Sequence, residues 1–220
     1  MTNITQLITA NIYRLGFGMV ASYIIGGGDN YIAIDAGTSA AKLMLNAAAL
    51  GIPLEKVTHC FLTHSDYDHV SGAAAFPNAK LYISVDEVPM ITGRGAKGLH
   101  RLTRSSLKKA NYETLSPLQT FDTPSCTIKC IPTPGHTPGS ISFLLNDIYL
   151  FTGDALSLKR GKAGIFKPLM NMNTESCIGS ICDIAAITAA KWLFTAHDGY
   201  TDDAAAALEN WRDDTENNGK

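Results

Sequence analysis

Charge is scarce in this chain. Only 17% of its 220 residues are Asp, Glu, Lys or Arg, and the two signs nearly cancel to a formal net charge of −2. No global attraction to nucleic acid or to an acidic membrane surface is therefore expected. Long apolar runs are lacking as well. The nearest approach, Leu15 to Gly28, falls short of the roughly 20 residues needed to cross a bilayer and is punctuated by glycines and Ser22. A secretory leader pattern is missing, and the cysteines, Cys60, Cys126, Cys130, Cys177 and Cys182, are odd in number. That combination argues against a disulfide framework and for reduced thiols in a cytoplasmic protein. Cys126-x-x-x-Cys130 has no second cysteine pair to complete a zinc ribbon, so all five are expected as buried core thiols. What the chain does have is 45% hydrophobic residues, enough for a single domain over 1–220 whose core needs no cross-links.

Patterning divides the chain into strand-rich and helix-rich stretches. A strand through Leu15 to Ile25, a Gly26-Gly27-Gly28-Asp29-Asn30 turn and a second strand over Tyr31 to Ile34 predict a hairpin. Asp35 to Ser39 closes it and leads into a helix over Ser39 to Leu50, stopped by Gly51 and Pro53. Val57 to Leu62 is a buried strand, Ser71 to Pro77 a short helix, Lys80 to Ser84 a strand and Val85 to Ile91 a helix. Residues 92 to 116 show neither period nor apolar face and predict a lid insertion. Strand signals return at Cys126 to Ile131, Ser140 to Leu145 and Ile148 to Phe151, the last two joined by a tight Asn146-Asp147 turn, which makes a second sheet. The last third predicts a helix over Thr174 to Ala190 capped by Asn173, a strand over Lys191 to Thr195, and a helix over Asp202 to Trp211 capped by Thr201 or Asp202.

One stretch organises the rest. Thr63-His64-Ser65-Asp66-Tyr67-Asp68-His69 places two imidazoles and two carboxylates just beyond a strand, where loops converge on a rigid base. Those are the side chains that hold borderline and hard divalent metals. Three later loops repeat the arrangement: Thr133 to Ser140 with His136, Thr152-Gly153-Asp154-Ala155, and Thr195-Ala196-His197-Asp198-Gly199. A lone histidine is more often a hydrogen-bonded structural residue than a ligand. Four of six histidines in strand-end loops rich in Gly, Pro and Thr are a different matter.

His64-x-Asp66-x-Asp68-His69, the Gly-His-Thr-Pro-Gly loop, the Thr-Gly-Asp turn and the late His197 together resemble the metallo-β-lactamase-fold hydrolase superfamily, in order and in scale of spacing. The resemblance implies an α/β, four-layer αββα sandwich and a site for two divalent metal ions, zinc foremost. By position, His64, His136 and residue 66 would hold the first metal. Asp68, His69 and His197 would hold the second, and Asp154 would bridge them. A hydroxide between the metals would attack an ester, thioester, lactone or phosphodiester bond, with Asp68 orienting it and carrying the proton. The common family pattern has histidine where Asp66 stands. If Asp66 coordinates, the harder ligand set suits manganese or iron better than an all-imidazole set would. Family members with a carboxylate there include di-iron redox proteins, which would require a separate flavin partner here.

Arg94, Lys97, Arg101, Arg104, Lys108 and Lys109 span a segment without one acidic residue, and Lys159, Arg160, Lys162 and Lys167 follow Asp154. If both flank the cleft they favour a small anionic substrate, with a phosphodiesterase or nuclease as the alternative and no membrane partner. A solvated charged lid explains the same residues equally well. Tyr67, His100, Arg101, Lys167 and Tyr200 are the candidate substrate contacts. Gly93-x-Gly95-x-x-Gly98 opens no strand-turn-helix unit, and Asp66-x-Asp68 lacks the spaced Glu of a calcium loop, so both motifs are set aside.

Overall fold

A computed structural model describes residues 4–9, 11–95 and 106–212. The chain falls into two compact units, the first Met1–Ser116 with Thr123–Ser125, the second Pro117–Asp122 with Cys126–Lys220.

The first unit is built on a seven-stranded sheet in chain order: β1 (Gln6–Thr9), β2 (Ile12–Gly16), β3 (Ala21–Gly27), β4 (Asn30–Ile34), β5 (Val57–Phe61), β6 (Lys80–Ser84) and β7 (Glu113–Leu115). Strands β1 to β4 run antiparallel through hairpins, and β4 to β7 are parallel. The switch follows from what joins them. Two-residue and four-residue turns can only reverse the chain, whereas helix α1 (Ala40–Ala49) carries it back from β4 to β5. Leu43 and Ala47, one helical turn apart, are the residues that α1 buries. The stretch expected as one strand from Leu15 is in fact two, β2 and β3, because Phe17–Val20 closes a tight turn in which the Phe17 amide donates to the Val20 carbonyl at 2.8 Å. Gly18, at φ 93°, supplies the left-handed residue that turn requires.

Two further expectations need correction here. The helix placed at Ser71 begins earlier: α2 covers Tyr67–Val70, inside the metal-type cluster, and Ala73–Ala75 is only a 3₁₀ turn. Gly72 separates them, since a Cβ there would stand 2.0 Å from the Ala36 carbonyl oxygen. The segment 92–116 is not a lid throughout. Its end forms β7, a parallel edge strand on β6, and Leu107 is buried; residues 96–105 lie outside the described part. The helix expected over Val85 to Ile91 is a 3₁₀ turn followed by α3 (Val88–Ile91).

The second unit carries a six-stranded sheet of β8 (Thr120–Asp122), β9 (Thr127–Pro132), β10 (Ile141–Leu145), β11 (Tyr149–Phe151), β14 (Trp192–Phe194) and β15 (Tyr200–Thr201), plus a small hairpin of β12 (Ser157–Lys159) and β13 (Lys162–Gly164). The β10–β11 reversal holds the expected pair: Asn146 and Asp147 sit at φ 51° and 58°, the left-handed residues of a tight turn that the Ile148 amide closes on the Leu145 carbonyl at 3.0 Å. Helix α4 (Thr174–Ala185) joins β11 to β14, which are parallel. Its Ile181 and Ile184 share a core with Leu150, Leu156, Leu193 and Leu208. Asn173 caps it as expected, its side chain accepting from the Ser176 amide at 3.1 Å. The helix stops five residues early, because Lys191 and Trp192 donate to the Ile148 carbonyl and draw the chain into β14. Helix α5 (Ala204–Ala207) is capped by Asp203 rather than Thr201 or Asp202, with the Ala206 amide 2.9 Å from its carboxylate. Among the described residues no helix is long and apolar enough to cross a membrane.

Candidate metal centre

In the first unit the candidate ligands stand on the loop after β5. The chain leaves the sheet at Leu62, whose amide donates to Tyr82, and at once meets Asp35, which the end of β4 presents alongside. Asp35 accepts from the Thr63 amide at 2.8 Å and from the Thr63 hydroxyl at 2.9 Å, and its Oδ2 lies 2.8 Å from Nδ1 of His69. A carboxylate in that position draws the imidazole proton to Nδ1 and leaves the lone pair on Nε2. Asp35 adopts φ 58° to do this, in a region that Asp tolerates better than most residues. The His69 carbonyl accepts from the Ala36 amide at 2.6 Å, so α2 is tied to the β4 end at both backbone and side chain.

His64 and His69 stand with ring centres 4.0 Å apart. The Asp66 carboxylate reaches to 3.7 Å from His64 Nε2, and Asp68 to 3.9 Å from His69 Nε2. Asp66 therefore brings its oxygen toward His64 Nε2, and it is buried. Between the two ligand residues, Ser65 donates through its amide at 3.0 Å and its hydroxyl at 2.7 Å to Glu87, a fully buried carboxylate from the start of α3. The loop is held on both sides by acids that are not themselves candidate ligands.

In the second unit three loops meet. His136 lies between β9 and β10, Asp154 after β11, and His197 after β14. One oxygen of Asp154 is 3.5 Å from His136 Nε2 and 3.2 Å from His197 Nε2. Gly135 precedes His136 at φ 140°, with α4 packed so close that a Cβ would stand 2.4 Å from Cys177 Sγ and 2.5 Å from its amide nitrogen. Asn171 spans the site: its Oδ1 is 3.4 Å from His136 Nδ1, and its Nδ2 donates to the Phe166 carbonyl at 2.7 Å. The Phe166 ring stacks on His197 at 5.2 Å and meets His136 edge-on at 5.4 Å. Asp198 accepts from the Leu158 amide and donates its own amide to Thr195, which anchors the His197 loop to β12.

Each unit thus holds an imidazole directed by its second nitrogen, His69 by Asp35 and His136 by Asn171, together with a buried carboxylate, a donor set that fits divalent metals of the zinc, iron and manganese type. The remaining histidine among the described residues, His59, is spent on packing within β5, stacked with Phe61 and Tyr82, and burial lowers its pKa. Of the candidate substrate contacts, Tyr67 is exposed on the first turn of α2, and Lys167 lies over Phe166. The Tyr200 ring stacks on Trp192 and Phe194, and His100 and Arg101 lie outside the described residues. Asp35, Glu87, Phe166, Asn171 and Asp198 were not expected at the site. Asp35 and Asp198 carried a signal, since each follows a strand.

The family model of the metallo-beta-lactamase superfamily matches residues 15–216. The uncharacterized protein YobT of Bacillus subtilis is 34% identical over 132 residues, 52% of this chain and 51% of that protein. A probable polyketide biosynthesis zinc-dependent hydrolase of Bacillus velezensis, BaeB, is 30% identical over 128 residues, 57% of this chain and 49% of its own length. The chain spans about half the length of these curated relatives. Among solved structures, a B3 metallo-beta-lactamase with an active site glutamic acid superposes with a TM-score of 0.71 over 97% of this chain and 89% of its own, at 18% identity. The expected fold is borne out in this likeness and in the two large sheets with their helices. The chain belongs to the metallo-beta-lactamase superfamily.

Proposed function

We propose that the chain is a metal-dependent hydrolase, working as one catalytic domain in the cytoplasm, in which both groups of ligands serve one pair of divalent cations. The convergence of His136 and His197 on a single oxygen of Asp154 carries this proposal. Two imidazole nitrogens aimed at one buried carboxylate are a stable arrangement when a cation is shared among them. His64, Asp66 and His136 are assigned to one cation, Asp68, His69 and His197 to the other, and Asp154 to both. Cations held there would supply Lewis acidity, lowering the pKa of a water and polarising the acyl or phosphoryl oxygen of the substrate.

The chain's own groups handle orientation and protons. Asp35 keeps the His69 proton on Nδ1, and Asn171 does the corresponding service at His136. Asp68 is less buried than its neighbour ligands, with 23% of its side chain exposed, which suits a carboxylate that takes a proton from the attacking water and returns it to the leaving group. The bond cleaved is assigned to an ester, thioester, lactone or phosphodiester. Zinc is preferred because the donor set is rich in imidazole, and the zinc-dependent relative supports it. Asp66 is the reason to keep manganese and iron in view.

Elemental analysis of protein purified without added metal or chelator, combined with hydrolysis of p-nitrophenyl esters and bis-p-nitrophenyl phosphate, tests this function. About two zinc or manganese ions per chain are expected. Asp154→Ala is expected to lose metal and more than about a hundredfold in rate, beyond the range for losing a merely supporting residue. Full activity or unchanged metal content in that variant would remove the assignment. Two irons and a visible absorption band would move the function to redox chemistry with a separate flavin partner.

A further inference from the structure

We propose that Glu87 is a positioning residue for the cation assigned to Asp66: acting through Ser65, it keeps the Asp66 carboxylate from capping helix α2 and so sets the affinity and metal preference of that position. This deepens the hydrolase function proposed above and rests on its assignment of Asp66 as a ligand. The two imidazoles of the cluster are steered from one side. Asp35 lies 2.8 Å from His69 Nδ1 and accepts at 2.9 Å from the Thr63 hydroxyl, whose oxygen stands 3.1 Å from His64 Nδ1. With its one proton given to the carboxylate, that hydroxyl accepts from His64, so both rings keep Nε2 for an ion. This arrangement governs the rings and not the carboxylate between them.

Asp66 stands under a competing demand. It occupies the N-cap of α2 at φ −64° and ψ 147°, where a short carboxylate ordinarily accepts from an amide of the first turn. Here the side chain makes no capping hydrogen bond, and its oxygen lies 3.7 Å from His64 Nε2. The Asp66 carbonyl accepts from the His69 amide at 3.0 Å, which ties the residue to α2 and leaves the chain before it to direct the side chain.

That is where Glu87 acts. It closes the 3₁₀ turn after β6, is fully buried, and through Oε1 accepts from the Ser65 amide at 3.0 Å and from the Ser65 hydroxyl at 2.7 Å. Two donors on one buried carboxylate oxygen make a charge-assisted clamp. Ser65, buried in turn, is held at both backbone and side chain, so the chain enters Asp66 from one fixed direction. An aspartate has only two side-chain torsions with which to make up for a shifted backbone. Without the clamp its carboxylate would settle on the amides of α2, away from the ion.

The test uses the full-length protein carrying Ser65→Ala or Glu87→Gln, with folding checked by circular dichroism. Ser65→Ala removes the hydroxyl donor. Glu87→Gln keeps the shape and an acceptor oxygen but not the charge, and should act in the same direction by a smaller amount. In the metal-free Ser65→Ala protein, amide hydrogen exchange read by NMR is expected to slow about fivefold at Asp68 or His69, the protection that a new cap confers. Titration against a chromophoric chelator should show one manganese-binding step weakened about tenfold and any other changed less than about twofold, with zinc affected less than manganese because a carboxylate matters more to the harder ion. Asp66→His removes the competing cap, so adding Ser65→Ala to it should cost less than about twofold. Unchanged exchange in both variants, equal weakening of every binding step, or the same tenfold loss in the Asp66→His background overturns the role of Glu87. An unaltered protein that takes up no metal overturns the hydrolase function instead, and the exchange measurement then still decides whether Glu87 holds Asp66 off the helix.

Discussion

Asp35 contributes no ligand, yet the first group of ligands is arranged around it. It joins the Thr63 amide and hydroxyl to Nδ1 of His69, and it takes up a left-handed backbone conformation in doing so. Asp35→Asn keeps the size and the tolerance for that conformation but removes the charge that holds the imidazole proton. Metal affinity is expected to fall by about 10- to 100-fold, read by competition with a chromophoric chelator, with the fold retained by circular dichroism. Unchanged affinity would mean that Asp35 only braces the loop. This residue also marks where sequence patterning runs out. His64, Asp66, Asp68 and His69 are recognisable because their types crowd one short stretch, and His136, Asp154 and His197 because each follows a strand in a loop of Gly, Thr and Pro. Asp35 lies far from His69 in sequence, and only the parallel register that sets Ile34 against Phe61 brings them together. Glu87 against Ser65 and Asn171 against His136 are pairings of the same kind, decided by tertiary placement and invisible to local pattern.

The elements that carry the ligands are short, and their ends are set by close approaches more than by propensity. Helix α4 was expected to run to Ala190 because nothing in its composition stops it; the sheet ends it by capturing Lys191 and Trp192. At the other end of α4, contact with Gly135 fixes how near the helix may come to the His136 loop. Gly135→Ala would drive a methyl group into the backbone and sulfur of Cys177, at a φ that L-residues avoid. A loss of about 2–4 kcal/mol in unfolding free energy is expected, together with weakened metal binding through displacement of His136. Urea denaturation with and without metal measures both, and a loss below about 0.5 kcal/mol would show that the helix can retreat. The β3–β4 and β10–β11 hairpins were easier to read, since glycine, asparagine and aspartate advertise reversals. The 3₁₀ turns and the edge strand β7 carry too few residues to show a period.

Across the whole molecule the thiols report on opening. None of the five cysteines is in a disulfide; Cys60, Cys126, Cys130 and Cys177 are buried, and Cys182 is half-buried. Burial pushes the Cys130 thiol up to about 12 and the Cys177 thiol to about 11, and holds Cys60 well above the ordinary range. At pH 8 those three are protonated and unreactive while the protein stays folded. A thiol reagent is expected to label Cys182 first, with the four buried cysteines following together only as the native state opens, as mass spectrometry of timed samples would resolve. Rapid labelling of Cys60 or Cys130 in the native protein would contradict the packing described.

The two groups of ligands also differ in how far apart the chain spaces them, and this bears on synthesis. His64, Asp66, Asp68 and His69 leave the ribosome almost at once, and the strands on either side, β4 to β6, are complete by Ser84. His136, Asp154 and His197 are drawn from three loops that come together only after β14 has been made and inserted beside β11. On a growing chain the first donors therefore stand ready well before the last, and the nascent protein is expected to meet the cell's metal supply with one cluster formed and the other still in pieces.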